Sequence, residues 1–268
     1  MSFSKIAASL FFIVYTPEWI FAMNNEVQMS DCGGKLYLVS TPIGNLEDIT
    51  LRALNVLKSV DLIAAEDTRH TRQLLTHFDI HTKLESFHAF NEHRKTAGLI
   101  EQIRNGLKVA SVSDAGTPSI ADPGFFLVRE AVRAGIRPEV IPGVSALTFA
   151  ATASALPVDK FAFLAFPPVK SGRRRKFFEE IRHEGKTVFF FESPHRIAKT
   201  LPEISEIVGP GAQVAVIREA TKLHEEVIRG TAAELAALAG VRDWRGEFVI
   251  GVYAGKEADG QDIEEESC

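Results

Sequence analysis

The stretch that decides the fold reads Ser111-Val112-Ser113-Asp114-Ala115-Gly116-Thr117-Pro118-Ser119-Ile120-Ala121-Asp122-Pro123-Gly124. It follows the apolar pair Val109-Ala110 and predicts a buried strand that ends at Asp114, a tight turn, and a helix capped by Asp122 with Pro123 in its first turn. In open α/β sheets, ligands bind beyond the carboxyl ends of the strands. We therefore expect a ligand on this turn, and the competing interpretation is an ordinary strand-to-helix connection.

The same alternation of strand and helix continues on both sides of this stretch. From residue 35 to residue 155, short apolar runs alternate with segments that have apolar residues at helical spacing. Units of this length are typical of a mostly parallel sheet with helices on both faces. Strands are predicted over residues 35–41, 61–67, 83–89, 108–114 and 138–141, and helices over residues 48–60, 68–78, 93–105, 122–134 and 145–155.

A second series of elements begins after the segment Leu156-Pro157-Val158-Asp159, which interrupts the pattern. Near its end two strands follow each other without a helix between them, which indicates a mixed sheet. A capping box at Thr231 and Glu234 predicts the short helix that comes next. We therefore predict an α/β protein of two domains, residues 33–156 and residues 157–255. Strands of the second domain are predicted over residues 161–166, 187–192, 213–218, 225–229 and 247–254. A basic loop over residues 169–176 is predicted to lead into a helix that ends near residue 184. A further helix is predicted to begin at Ser193-Pro194.

Composition and charge indicate a globular body with an acidic tail. Of the 268 residues, 46% are hydrophobic and 24% charged, as in ordinary soluble domains. The net charge of −5 is carried by residues 256–268, which have one lysine against six carboxylates, so we expect a disordered tail there. A neutral body still allows a nucleic-acid partner through local basic patches. The only cysteines, Cys32 and Cys268, exclude a disulfide framework and favour a reducing cytoplasm.

Residues 1–32 have a composition that differs from the body. Lys5 and the apolar run over residues 6–15 have the outline of a signal peptide, but Pro17, Glu18 and the lack of a clean small-x-small cleavage site weaken this interpretation. The run is also too short to span a bilayer, so no membrane partner is expected. We expect a disordered extension, or one that comes from a start codon assigned too early, with Met29 as the start.

Several common enzyme classes are excluded by missing motifs. The sequence has no G-x-G-x-x-G after a strand, no G-x-x-x-x-G-K-[ST], no H-E-x-x-H and no C-x-x-C. It also lacks the G-x-S-x-G of the usual hydrolase nucleophile. These absences argue against dinucleotide oxidoreductases, P-loop NTPases and zinc hydrolases, and no metal site is predicted.

Polar or glycine-bearing turns follow all five strands of the first series. Carboxyl ends of parallel strands lie at one edge of a sheet, so these turns predict a single site. Two carboxylates, those of Glu66 and Asp67, are predicted beside Arg69 at the end of the second strand. Burying them there costs free energy unless they form ion pairs or take part in function. Alternatively, Asp67 or Thr68 could simply cap the next helix. The turns are Thr41-Pro42-Ile43-Gly44-Asn45-Leu46-Glu47-Asp48, Glu66-Asp67-Thr68-Arg69, His88-Ala89-Phe90-Asn91-Glu92, the Asp114 turn and Pro142-Gly143-Val144-Ser145-Ala146.

Four of these turns, together with two motifs of the second series, resemble a known family. The resemblance is to the bacterial 16S ribosomal RNA (cytidine-2′-O)-methyltransferases, a branch of the tetrapyrrole methylase superfamily, and it covers residues 35–255. It implies a tetrapyrrole-methylase-like fold of two α/β domains with S-adenosylmethionine in the cleft between them, and usually a homodimer. The motifs, in order, are Thr41-Pro42-Ile43-Gly44-Asn45-Leu46, Glu66-Asp67-Thr68-Arg69, Ser113-Asp114-Ala115-Gly116-Thr117-Pro118, Pro142-Gly143-Val144-Ser145-Ala146, Glu192-Ser193-Pro194-His195-Arg196 and Arg218-Glu219-Ala220-Thr221-Lys222.

The resemblance also implies an activity and a cofactor site. The activity is 2′-O-methylation of a cytidine in the decoding centre of 16S ribosomal RNA, within the small ribosomal subunit and in the cytoplasm. It explains the missing G-x-G-x-x-G, because this superfamily does not use the common Rossmann-like methyltransferase fold. The implied cofactor-binding residues are Pro42, Ile43, Gly44, Asp114, Gly116, Thr117, Ser145 and Ala146 from the first domain, with Phe191 and Arg218 from the second.

A ribose hydroxyl is a weak nucleophile, so we expect a base that accepts its proton. The candidates are Glu66 and Asp67, with Arg69 orienting the carboxylates or holding a phosphate. Less favoured candidates are Glu219 and Lys222. The competing interpretation is that Glu66 and Arg69 form a structural ion pair.

The predicted RNA-binding patch is the basic loop. Clustered cations there suit backbone phosphates, although exposed arginines are often merely solvated. The neighbouring Phe177 and Phe178 are predicted to belong to the core rather than to stack on bases. The RNA-binding candidates are Lys170, Arg173, Arg174, Arg175 and Lys176, with His195 and Arg196.

Two other functions stay open on the sequence alone. One is methylation of carbon in a tetrapyrrole-like small molecule, for which the same cleft would face an acidic ligand. The other is a non-catalytic RNA-binding factor of ribosome assembly, which need not bind S-adenosylmethionine.

Overall fold

A computed structural model describes residues 33–255 of the chain. Its first sheet is entirely parallel, with the strand order β3-β2-β4-β1-β5. This confirms the prediction of a mostly parallel sheet, and it places the carboxyl ends of all five strands at one edge. The strands are β1 (Lys35–Val39), β2 (Leu62–Ala65), β3 (Leu84–Ser86), β4 (Lys108–Val112) and β5 (Glu139–Ile141).

Helices cover both faces of this sheet because its strands are apolar on both sides. Leu36 and Leu62 belong to the core cluster of one face, while Val39 and Ile63 belong to the cluster of the other. This is the pattern expected of a buried parallel sheet. The helices of this half are α1 (Leu51–Ser59), α2 (Thr68–His77), α3 (Glu92–Arg104), α4 (Phe125–Arg133) and α5 (Ala146–Ala153), with a short 3₁₀ helix over Leu46–Asp48.

The second sheet is mixed, as predicted, with the order β6-β7-β10-β8-β9. Only β6 and β7 pair in parallel, and the other neighbours are antiparallel. The predicted capping box is present, because the Thr231 side chain and the Glu234 side chain each accept from the other's backbone. The elements are β6 (Phe161–Phe163), α6 (Ser171–His183), β7 (Thr187–Glu192), α7 (Ile197–Ile207), β8 (Gln213–Arg218), β9 (Glu226–Thr231), α8 (Ala232–Leu238) and β10 (Phe248–Tyr253).

Helix α5 packs against the second sheet although it follows the first. The three helices α6, α7 and α8 contribute to the core on one face of the second sheet. On the other face, Phe189, Ile217 and Val249 form a cluster with Ala150 of α5. This packing holds the edge of the first sheet beside the second sheet.

Two local predictions are corrected by the structure. Asp122 does not cap a helix: α4 begins at Phe125 with Gly124 as its N-cap, and Ser119 and Ala121 adopt left-handed φ values of 73° and 64°. The N-cap therefore lies two residues later than predicted, which leaves the Asp122 carboxylate free of a capping role. Residues 173–176 lie inside α6 and not in a loop.

Some predictions fall outside the part of the chain that the structure describes. These are the extension over residues 1–32 and the acidic tail over residues 256–268, with both cysteines. The domain boundary near residue 156 stays a prediction. Within residues 33–255, no helix has the length and apolar character needed to cross a membrane.

Candidate functional site

The loops that follow β1 and β4 are joined by a pair of backbone hydrogen bonds. The Thr41 amide donates to the Gly116 carbonyl at 2.9 Å, and the Gly116 amide donates back at 3.0 Å. Gly116 has a φ of 80°, a conformation that residues with a Cβ rarely adopt. The hydroxyls of Ser40 and Thr117 also lie 3.0 Å apart. The two glycine-bearing turns therefore form one rigid wall.

The loop after β1 also contacts a turn of the second half. A Cβ added to Gly44 would lie 2.3 Å from Cγ of Lys222, so only glycine allows this approach. The Asn45 amide donates to the Thr221 hydroxyl at 3.2 Å. Lys222 Nζ is held between the carboxylates of Glu219 and Glu247, 3.0 Å from each. The fold thus brings together two motifs that are far apart in the chain.

A cavity of about 380 Å³ lies between the first sheet's edge and the second sheet, and we call it the inter-sheet cavity. Its walls include six of the ten residues that the resemblance implies for the cofactor: Ile43, Gly116, Thr117, Ser145, Ala146 and Phe191. Further wall residues were not predicted from the sequence, among them Ile120, Asp122, Phe166, Glu192, Ile217 and Val249.

A second cavity, of about 450 Å³, lies on the α2 side of the same loop, and we call it the α2 cavity. It shares Ile43, Ala115 and Glu247 with the inter-sheet cavity. Three more of the predicted cofactor residues, Pro42, Gly44 and Asp114, line this second space, with His70, Gln73 and His77 of α2.

Arg218 is the predicted cofactor residue that lines neither cavity. Its guanidinium donates to the Arg245 carbonyl at 2.6 Å and lies 3.7 Å from Glu226. Side chains alternate along a strand, so Ile217 of β8 faces the inter-sheet cavity and Arg218 faces away. The role of Arg218 stays a prediction from the resemblance, and its neighbour Ile217 is the β8 residue that lines the inter-sheet cavity.

Asp67 and Arg69 are engaged with each other at the start of α2. The Asp67 carboxylate caps the helix by accepting from the Arg69 amide at 2.8 Å, and it accepts from the Arg69 guanidinium at 2.7 and 3.1 Å. The hydrogen bonds from Arg69 hold the pKa of Asp67 well below its usual range. A carboxylate that is so weakly basic is a poor proton acceptor at neutral pH. The structure thus gives Asp67 the capping role that the sequence left open.

Among residues 33–255, the pKa is raised for two carboxyls, those of Glu66 and Asp122. Burial raises the pKa of Glu66, which accepts a long hydrogen bond of 3.4 Å from the Asp114 amide. Burial, followed by the charge of Glu66, raises the pKa of Asp122 to about 6. Of the two, Asp122 lies in the wall of the inter-sheet cavity. Asp122 therefore combines access to a ligand with a basicity near the working pH.

The predicted RNA-binding patch is divided by the structure. Lys170, Arg173 and Lys176 are exposed on α6 and the residue before it. Arg175 is exposed but paired with Glu179 and Glu206 at 3.2 and 3.0 Å. Phe177 and Phe178 are buried in the core, as predicted.

Arg174 is only 5% exposed and donates to both carboxylate oxygens of Glu203, at 2.6 and 2.7 Å. It cannot reach RNA from this position, and its prediction is corrected. His195 is exposed, whereas Arg196 forms an ion pair of 2.7 Å with buried Glu192 and donates to the Pro167 carbonyl. Arg196 thus has a structural role.

Replacing Arg174 with alanine is expected to destabilise the protein by about 3 kcal/mol, because the Glu203 carboxylate would lose its partner in a buried pair. The matched change Arg173→Ala, one residue earlier on the exposed side, should cost less than about 0.5 kcal/mol. Urea unfolding of both variants measures the difference. Equal free energies of unfolding for the two would contradict this account of α6.

The described residues contain no cluster of three or more side chains that could hold a metal ion.

Comparison with known proteins gives a consistent family. Residues 35–236 match the model of the Tetrapyrrole (Corrin/Porphyrin) Methylases.

Curated relatives are similar over most of their length. A "Ribosomal RNA small subunit methyltransferase I" of Halalkalibacterium halodurans is 45% identical over 89% of this chain and 81% of the relative. The protein of the same name from Escherichia coli O157:H7 is 44% identical over 90% of this chain and 85% of the relative. The one from Thermotoga maritima is 45% identical over 84% of this chain and the whole of the relative.

Solved structures share the fold at lower identity. A uroporphyrin-III-C-methyltransferase from Thermus thermophilus superposes with a TM-score of 0.59 at 24% identity, over 82% of this chain and 94% of that one. A cobalt precorrin-4 methyltransferase gives a TM-score of 0.62 at 19% identity over the same shares. A Thermus thermophilus uroporphyrin-III C-methyltransferase complexed with S-adenosylhomocysteine gives 0.56 at 20% identity, over 82% of this chain and 97% of that one.

Proposed function

Since the chain belongs to the tetrapyrrole (corrin/porphyrin) methylase family, we propose that it is an S-adenosylmethionine-dependent methyltransferase that acts on small-subunit ribosomal RNA. Relatives at 44–45% identity are named ribosomal RNA small subunit methyltransferase I and align over 81% or more of their own length. The solved tetrapyrrole methylases, at 24% identity or less, support the fold alone.

The inter-sheet cavity suits S-adenosylmethionine. Its volume of about 380 Å³ lies in the range of small-molecule sites. Ile43, Phe191 and Ile217 offer apolar contact for an adenine ring, while Thr117 and Ser145 offer hydroxyls. The backbone of Gly116 forms part of the wall without a side chain. When bound there, S-adenosylmethionine supplies an electrophilic methyl group on a sulfonium.

The finer proposal is that the acceptor is the 2′-hydroxyl of a cytidine in the decoding centre of 16S ribosomal RNA. A hydroxyl must lose its proton as it becomes an ether, and a positioned carboxylate accelerates this loss. We assign the role to Asp122, which lies in the cavity wall and has a pKa of about 6. Glu66 then acts as a positioning residue, because its charge helps to raise the pKa of Asp122. Cytoplasmic location and a homodimer, both implied by the resemblance, belong to the same proposal.

The observation that carries the proposal is the inter-sheet cavity, built from the family's motifs and holding a carboxyl of raised pKa. The test incubates purified protein with S-adenosylmethionine and small subunits that lack the modification, and then maps ribose methylation across 16S RNA. One new 2′-O-methyl cytidine in the decoding centre is the expected result. Methylation of a free tetrapyrrole instead, or no binding of S-adenosylmethionine by calorimetry, would overturn it.

A further inference from the structure

We propose that a single-stranded segment of the RNA docks on the exposed face of helix α2 and places one nucleotide in the α2 cavity. This inference rests on the proposed function and adds to it the surface that receives the substrate. The sequence predicted a different surface, the basic residues of α6 and its flank. Arg174 and Arg175 are paired there, and the exposed Lys170, Arg173 and Lys176 line neither the inter-sheet cavity nor the α2 cavity, whereas α2 lines one of them.

The charge of α2 is one-sided. Between Thr68 and His77 the helix carries two arginines and two histidines and no acidic residue. Arg72 is exposed and forms no ion pair with any residue in the range 33–255. Arg69 keeps 88% of its side chain exposed even though its guanidinium contacts Asp67. Phosphates are attracted to cations that are not already neutralised, and Arg72 is such a cation.

Helical spacing places these groups in a row. Arg72 and Gln73 lie three and four residues after Arg69, and Thr76 lies four and three residues after them, so all four share one face of the helix. The same residues, with Thr68 and His77, line a shallow groove on the surface. Seven residues of helix rise about 10 Å, which matches two or three consecutive phosphates of a strand.

The neighbouring face of the same helix forms a wall of the α2 cavity. His70, Gln73 and His77 line it from α2, and Asp114 and Lys222 line it from the opposite side. Side chains with donors and acceptors suit the edge of a base that has left its stack. The volume of about 450 Å³ lies in the range of small-molecule sites, which is the size of ligand that one nucleotide presents.

The two cavities meet at a common wall. Ile43 and Ala115 line both of them. We place the nucleobase in the α2 cavity and its ribose at this shared border, so that the 2′-hydroxyl meets the methyl donor and Asp122 on the inter-sheet side. Carboxyls lie on both sides of the border, since Asp114 lines the α2 cavity and Asp122 the inter-sheet cavity.

The test reverses the charge of the one unpaired arginine of α2. Arg72→Glu is expected to weaken binding of a fluorescent single-stranded 16S fragment about tenfold and to reduce the slope of log affinity against log salt by about one. The Michaelis constant for RNA should rise by the same factor, while kcat at saturating RNA and the affinity for S-adenosylmethionine stay within about twofold. The matched control is Lys58→Glu on α1, an exposed helix cation outside both cavities, for which all values should stay at the wild-type level.

A second variant tests the cavity separately from the charge. Gln73→Trp would place a large ring where the groove and the α2 cavity meet, so kcat/KM for RNA should fall at least about tenfold with the salt slope unchanged. The inference would be overturned if Arg72→Glu kept the wild-type RNA affinity and salt slope. It would also be overturned if Arg173→Glu of α6 lowered both values while Arg72→Glu did not. Because the wild-type protein is assayed for methylation in parallel, a failure of this surface is distinct from a failure of the proposed function.

Discussion

Asp122→Asn is expected to lower the rate of methyl transfer about 10²- to 10⁴-fold, because the amide cannot accept the proton of the ribose hydroxyl. The wild-type rate should fall as the pH drops below about 6, where the Asp122 carboxylate becomes protonated. Single-turnover methylation at saturating S-adenosylmethionine, followed from pH 5 to pH 9, measures both effects. Calorimetry should show that the variant still binds the cofactor.

Glu66→Gln is the control that separates Asp122 from the base predicted from the sequence. The charge of Glu66 helps to raise the pKa of Asp122, so its removal should move the acidic limb of the rate profile to lower pH while activity is kept. If instead Glu66→Gln abolishes the reaction and Asp122→Asn retains it, the base is Glu66. Asp67→Asn should keep the chemistry, because Asp67 caps α2.

Asp122→Asn, which should lower the rate of methyl transfer, is expected to raise the stability of the folded protein. The folded pKa of Asp122 lies above its ordinary value, so the folded state favours the protonated carboxyl. Its contribution to stability is complete below about pH 4 and is lost as the pH rises through about 6. Asp122→Asn should therefore raise Tm at pH 8 and leave it nearly unchanged at pH 4. Thermal unfolding at the two pH values measures this contrast.

Gly116→Val is expected to abolish binding of S-adenosylmethionine, with a loss of affinity above about 100-fold. The added Cβ would lie 3.4 Å from Cγ2 of Ile43, and the rest of the side chain would occupy the inter-sheet cavity. A β-branched residue at a φ of 80° also adds about 1–3 kcal/mol of backbone strain. Calorimetry with the cofactor and thermal unfolding measure the two effects.

A matched glycine change shows whether the result is specific. Gly98 lies inside α3, and an added Cβ would meet nothing within 4 Å. Gly98→Ala should stabilise the protein by about 0.5–1 kcal/mol and leave cofactor affinity unchanged. A folded Gly116→Val variant that binds S-adenosylmethionine normally would contradict the assignment of the inter-sheet cavity.

The loops of the candidate site were predictable because strand direction is a local property. Strand–helix units with short connections produce parallel strands, and parallel strands bring their carboxyl ends to one edge. Along β8, alternation separates Ile217, which lines the inter-sheet cavity, from Arg218, which does not, whereas at the end of β7 both Phe191 and Glu192 line it. The period of a strand therefore locates Ile217 but not the wall residues where a strand passes into its loop.

The charged side chains were not predictable in this way. Arg174 occurs in a basic run, and only the packing of α6 on α7 brings it to Glu203, 29 residues later. Asp122 has the sequence context of a helix cap, and only the irregular turn over residues 119–124 leaves its carboxylate in the cavity wall. The partner of Arg174 and the burial of Asp122 both come from elements other than their own.

The sequence by itself determined the parallel first sheet, the mixed character of the second, and the edge at which the polar turns collect, because hydrophobic period and connection length act between near neighbours in the chain. The tertiary structure alone decided which carboxyl has a pKa near 6, which arginines are neutralised, and that the Asn45 amide meets Thr221, 176 residues away. The physical reason is that desolvation and charge interactions depend on distance in space, which a local pattern does not encode.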